Sequence, residues 1–143
     1  MSDLQQRILD IINKPQLALL ATVTEKNNPW VRYVVTVGDA NLKIRCATLV
    51  ESRKVQQIEN NPNVHISCGV NNLQEKQPYL QIQGQAHVTT ERGERHGFWN
   101  DMLASIFEGP DDPRYAVIII DPERIEYCVP GSYEPEVWTK KTS

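Results

Sequence analysis

Ser52, Arg53 and Lys54 stand together between a β-rich run and a short amphipathic stretch. A helix beginning there presents a hydroxyl, free backbone N–H groups and two cations at one end, a set suited to a phosphate dianion. Cations in a first turn run against the helix dipole, which favours negative charge. A bound anion would account for them, and so would a solvated surface pair following a cap; the residues alone leave both open. Thr48 lies just upstream, and Arg32 interrupts an apolar, strand-forming run.

Other chemistry is poorly represented. The chain has no Gly-rich phosphate loop, no Gly-x-Ser-x-Gly elbow and no paired-carboxylate motif, which removes the common signatures of nucleotide hydrolysis, esterase and glycosidase work. Cys46, Cys68 and Cys128 lack Cys-x-x-Cys spacing and sit in apolar runs, where free cysteine acts as a small buried hydrophobe. His65, His87 and His96 are far apart, so no metal site is expected. No general acid or base stands out, and the catalytic residues stay unknown.

The elements that must position these residues follow from periodicity. Leu4, Ile8, Ile11 and Ile12 recur at helical spacing behind a Ser2–Gln5 capping box, and Lys14-Pro15 should end that helix. Three β-rich runs follow, 17–24, 30–37 and 42–48, joined by turn-forming segments that imply an antiparallel meander. Ser52 caps a short helix through Val55 and Ile58, which Asn61-Pro62 stops. A strand over 64–70 precedes a polar loop. Residues 79–88 then alternate strictly, with Leu80, Ile82, Ala86 and Val88 on one face and Gln81, Gln83, Gln85 and His87 on another that is wet or meets a partner. Gly84 falls mid-strand, where a bulge or a close backbone approach is the usual reason. One helix is predicted over 90–107, then two strands, 115–120 and 124–129, joined at Asp121-Pro122, and a loosely held tail from Gly131.

The 143 residues suit a single domain over 1–143, and 40% hydrophobic with 23% charged residues is ordinary globular composition. A net charge of −3 argues against nucleic acid or an anionic membrane as partner. The longest apolar runs, such as 116–120, fall far short of the roughly 20 residues that cross a bilayer. The N-terminus lacks a basic region leading into an apolar stretch, so a cytoplasmic location is expected. Strands outnumber helices and follow one another directly, which favours a small antiparallel barrel with flanking helices.

The order Pro29-Trp30-Val31-Arg32, Thr48, Ser52-Arg53-Lys54, Ile58-Glu59-Asn60-Asn61-Pro62, then Gly84-Gln85-Ala86 resembles the pyridoxamine 5′-phosphate oxidase-like FMN-binding split-barrel family, and most of all its short general-stress-protein branch. Gly-Pro-Asp-Asp-Pro at 109–113 is similar to that branch too, and the resemblance spans about 17–121. It implies a mainly β, six-stranded antiparallel split barrel with flanking helices, paired as a homodimer with FMN in each of two grooves between subunits. It assigns Arg32, Ser52, Arg53 and Lys54 to the FMN phosphate, Thr48 with the Arg32 strand (Tyr33, Val34) to the flavin ring, and Ala47 and Tyr79 to the same cofactor. The implied activity is a flavin-dependent oxidoreductase acting on an unidentified small molecule. The alternatives are a flavin-holding sensor without turnover, or a deazaflavin-dependent reductase. Residues 136–141 lack the Trp and Arg pattern with which full-length pyridoxamine phosphate oxidases complete their substrate site, so that oxidation is not expected. Cys128 follows Glu126-Tyr127 where the branch often carries an aromatic.

Overall fold

Ser2 Oγ accepts the Gln5 N–H at 3.1 Å, and Gln5 Oε1 accepts the Ser2 N–H at 2.8 Å, which starts helix α1 (Asp3–Ile12) with the capping box read from sequence. Ile8 and Ile12 are its buried residues. The computed structural model describes residues 1–141. After α1 come β1 (Gln16–Val23), β2 (Pro29–Gly38), β3 (Ile44–Leu49), α2 (Arg53–Asn60), β4 (Asn63–Cys68), β5 (Tyr79–Thr89), α3 (Arg92–Phe98), a 3-10 turn (Asp101–Ser105), β6 (Tyr115–Cys128) and β7 (Glu136–Thr139).

Every strand pairing is antiparallel, in the order β3-β2-β1-β4-β5-β6-β7, and a further β3–β6 pairing closes six strands into a barrel with β7 outside it. This is the expected mainly β barrel. Strand β6 is the seam, joined to β3 from Ile44↔Ile120 to Leu49↔Tyr115 and to β5 from Thr89↔Val117 to Tyr79↔Cys128. Leu20, Ile44, Ile66, Leu80, Ile82, Ile118, Ile120 and Ile125 fill the interior, each at most 1% exposed. A second cluster, Leu103, Phe107, Tyr115, Val117 and Ile119, lies on the other face of β6. Coverage on both faces explains why residues 115–120 are uniformly apolar and do not alternate. No helix among the described residues is long and apolar enough to cross a membrane.

Four expectations are corrected. The two final strands are one, because Pro122, which lacks an N–H, falls at a bulge opposite Gly84 that the ladder absorbs. Gly84 is required there, since an added Cβ would lie 2.5 Å from the Asp121 carbonyl oxygen. The single helix over 90–107 is broken at Trp99 into α3 and the 3-10 turn; α3 carries Gly93 and Gly97, and Asn100 Oδ1 starts the second piece by accepting the Met102 N–H at 3.0 Å. The tail is held: β7 pairs with β6, and Glu136 accepts Arg7 Nη1 and Nη2 at 2.6 and 2.9 Å. Ser52 occupies the N-cap of α2 but makes no side-chain bond to the helix; its hydroxyl lies 2.9 Å from Thr48 Oγ1 instead.

Asp112 braces the loop that leads into β6. Its buried carboxylate accepts the N–H groups of Glu108 and Arg114, each at 2.9 Å, and the Arg114 guanidinium at 2.7 Å. The Arg114 bond first, and the two backbone donors after it, hold its pKa well below the ordinary 3.8. A depressed carboxylate stabilises the fold fully above its unfolded value and loses that contribution as pH falls toward the folded value. Asp112→Asn should therefore lower the urea midpoint at neutral pH by an amount that shrinks below pH 3.8. A deficit independent of pH would contradict this role.

Candidate functional site

Arg32 sits on β2, half-buried, with its guanidinium folded onto the barrel wall. Its Nη1 donates to Thr22 Oγ1 at 2.7 Å and to the Leu20 and Trp30 carbonyls at 3.2 Å, while Nη2 donates to Gln57 Oε1 on α2 at 2.8 Å. Thr22, itself 1% exposed, donates to the same Gln57 oxygen at 2.5 Å. All these acceptors are neutral, so Arg32 is bonded yet keeps its charge uncompensated. Its Nε–H and one Nη2–H take no partner among the described residues.

Arg53 and Lys54 open α2 beside it. Among the described residues none of the three cations makes an ion pair, although eight other ion pairs of Arg or Lys with a carboxylate are formed. Burial lowers the Arg32 pKa, and the neighbouring Arg53 charge lowers it further. Burial likewise lowers Lys54, with the charge of Arg32 acting in the same direction. Three cations are thus held together against mutual repulsion, a state that a dianion relieves. In the first turn of α2, Val55 N–H donates to the Ser52 carbonyl at 3.2 Å, while the N–H groups of Arg53 and Lys54 take no partner among the described residues and are open to an anion.

The two helix cations serve different sides. Lys54 lines a cavity of about 450 Å³ together with Tyr33, Val34, Ala47, Thr48, Leu49 and, on the far wall, Phe98, Leu103 and Phe107. Lys54 is its only charged lining side chain among the described residues. Arg53 lies instead against Trp30, its Cζ 6.0 Å from the ring centroid, in a second cavity of about 410 Å³. Ser52 reaches neither lining directly and is tied to Thr48.

A family model for pyridoxamine 5′-phosphate oxidase matches residues 4–129. The chain belongs to the pyridoxamine 5′-phosphate oxidase family. Within that family it is 33% identical over 133 residues to general stress protein 26 of Bacillus subtilis (strain 168), covering 93% of this chain and 94% of the relative. The crystal structure of General Stress Protein 26 from Bacillus anthracis str. Sterne superposes with a TM-score of 0.82 at 27% identity, over 97% of this chain and 100% of that one. An F420 reductase shares the fold alone, with a TM-score of 0.65 at 21% identity over 81% of this chain and 93% of that one.

Of the residues that the family resemblance assigned to the cofactor, the structure brings Tyr33, Val34, Ala47, Thr48 and Lys54 around one cavity, with Ser52 bonded to Thr48 and Arg32 and Arg53 beside Lys54. Tyr79 stands apart, in a cleft of about 300 Å³ with Gln81, Glu126 and Cys128. The sequence reading missed Gln57 and Thr22, whose only signal is their contact with Arg32, and the far wall, whose helical spacing reads as ordinary core. Cys46 is inert in this setting, since burial pushes its thiol up to about 12.

Proposed function

We propose that this protein is a cytoplasmic, homodimeric FMN-binding oxidoreductase. The observation that carries the reading is the cluster of Arg32, Arg53 and Lys54, which makes no ion pair among the described residues, beside an apolar cavity lined by Lys54. The cations hold the phosphate ester, and Tyr33, Val34, Ala47 and Thr48 flank a planar ring while the Phe98, Leu103 and Phe107 wall excludes water. FMN, when bound, supplies the hydride- or electron-accepting ring; the chain's part is to hold, orient and desolvate it. Family membership supports this cofactor over an unrelated phosphate ester.

Dimerisation is supported by the apolar side chains left in water around the cavity. Leu17, Tyr33, Val35, Leu49, Met102 and Ile106 are all exposed, Tyr33 by 73%. A patch of that kind marks a protein interface. Tyr79, in its own cleft, serves this cavity only if contributed across such an interface. Pyridoxamine phosphate, with a phosphate of its own, finds no second cation in the protomer's cavity among the described residues, which supports a different substrate.

Titration of the purified protein with FMN should quench flavin fluorescence to a stoichiometric end point with protomers, and light scattering should give the mass of a dimer. Absence of quenching would overturn the cofactor assignment; a monomer that still binds FMN would overturn only the interface.

A further inference from the structure

We propose that Gln57 is a positioning residue for the phosphate site: its neutral amide oxygen aims the Arg32 guanidinium while leaving the charge of that group free for an anion. This rests on the reading of Arg32, Arg53 and Lys54 as a phosphate site. An arginine only donates hydrogen bonds, so the Gln57 atom facing Arg32 Nη2 at 2.8 Å is the amide oxygen. Thr22, 1% exposed, accepts Arg32 Nη1 at 2.7 Å and spends its own proton on that same oxygen. Thr22 and Gln57, bonded to each other, therefore fill one edge of the guanidinium, between Nη1 and Nη2. The edge left over carries the parallel Nε–H and second Nη2–H, a fork that suits two phosphate oxygens at once. A carboxylate of the same length at position 57 would accept both bonds equally well, because Gln57 Nε2 has no partner among the described residues to lose. It would also bond Arg32 more strongly, as a charged acceptor does. Burial and the Arg53 charge both work against the Arg32 cation, and an acid here would relieve that from inside the fold. It would stand one turn after Arg53 as well, where i and i+4 side chains meet; Arg53 and Gln57 already line one cavity together. An amide in this place holds the cation and leaves the compensation to a ligand.

Fluorescence titration with FMN and with riboflavin, together with thermal melting without ligand, compares the parent with Gln57→Glu and Gln57→Met. Gln57→Glu should melt no lower than the parent, since it gains an ion pair, yet bind FMN at least about tenfold more weakly, with riboflavin within about twofold. Gln57→Met drops the aiming bond but adds no opposing charge, so its FMN affinity should fall between the other two. An FMN affinity of Gln57→Glu within about twofold of the parent's would overturn the proposal. So would an equal loss of FMN and riboflavin, since Gln57 would then only support the fold. If Gln57→Glu does not fold, Gln57→Met decides: FMN bound as tightly as by the parent would overturn it. A parent that binds no FMN would reject the flavin assignment by itself, and inorganic phosphate then tests Gln57. Phosphate should raise the parent's melting temperature above that in chloride of equal ionic strength and do so less in Gln57→Glu; an equal effect on both would overturn the proposal.

Discussion

Replacing Arg53 with alanine is expected to weaken FMN binding by roughly 10- to 150-fold, the equivalent of one charge-assisted hydrogen bond at about 1.5–3 kcal/mol. Arg53 is suited to such a test because it lies at the surface, makes no ion pair among the described residues and contacts Trp30 only through its ring face. Its loss leaves the Arg32–Thr22–Gln57 network in place. Riboflavin separates charge from packing: lacking the phosphate, it should bind the parent much more weakly than FMN and be nearly indifferent to Arg53→Ala. Added salt should narrow the gap between the two ligands, since screening weakens an exposed cation's pull on a dianion. An FMN affinity unchanged by Arg53→Ala would remove Arg53 from the phosphate site.

The second large effect concerns the barrel. Ile118 is fully buried on the seam strand, opposite Cys46 of β3 and Val88 of β5. Ile118→Ala should cost about 2–5 kcal/mol, because it removes transfer energy and leaves a cavity between two ladders that cannot both relax inward. Against a total of about 5–15 kcal/mol for a domain, that is a large share. Urea unfolding of parent and variant gives the number, and a loss below about 1 kcal/mol would mean that the interior collapses around the gap.

Much of the frame was legible in the sequence because local rules decided it. The Ser2–Gln5 box, the turns between β1, β2 and β3, and the alternation of β5 each depend on a few neighbouring residues, and each appears where the pattern puts it. The errors arose where tertiary context overrides a local signal. Pro122 reads as a strand end, yet a bulge across from Gly84 carries the ladder past it. The apolar spacing from Phe98 to Ile106 reads as one helix, yet its residues are shared between α3, an extended Trp99 and a 3-10 turn. The tail reads as loose, because nothing near it announces that Arg7 will reach Glu136 from the other end of the chain.

For the site the division is similar. Ser52, Arg53 and Lys54 are adjacent in the chain, so their charge could be read directly. Arg32 joins them only through β2 folding onto α2, and the divergence of Arg53 and Lys54 into separate cavities is a property of the helix surface that no spacing reveals.

Under the proposed function, the β3–β6 seam couples ligand binding to the fold. These strands lie far apart in sequence, so bringing them together carries a loop-closure entropy cost that the hairpin pairings do not. Ala47 and Thr48 are held in the β3–β6 ladder and Lys54 lines the same cavity, so a ligand seated there as proposed would bind the closed barrel and not the open one. By mass action, a ligand that binds this form and not the open one stabilises the fold more as its concentration exceeds its dissociation constant, so under the proposed function the cofactor-free chain is the less stable one.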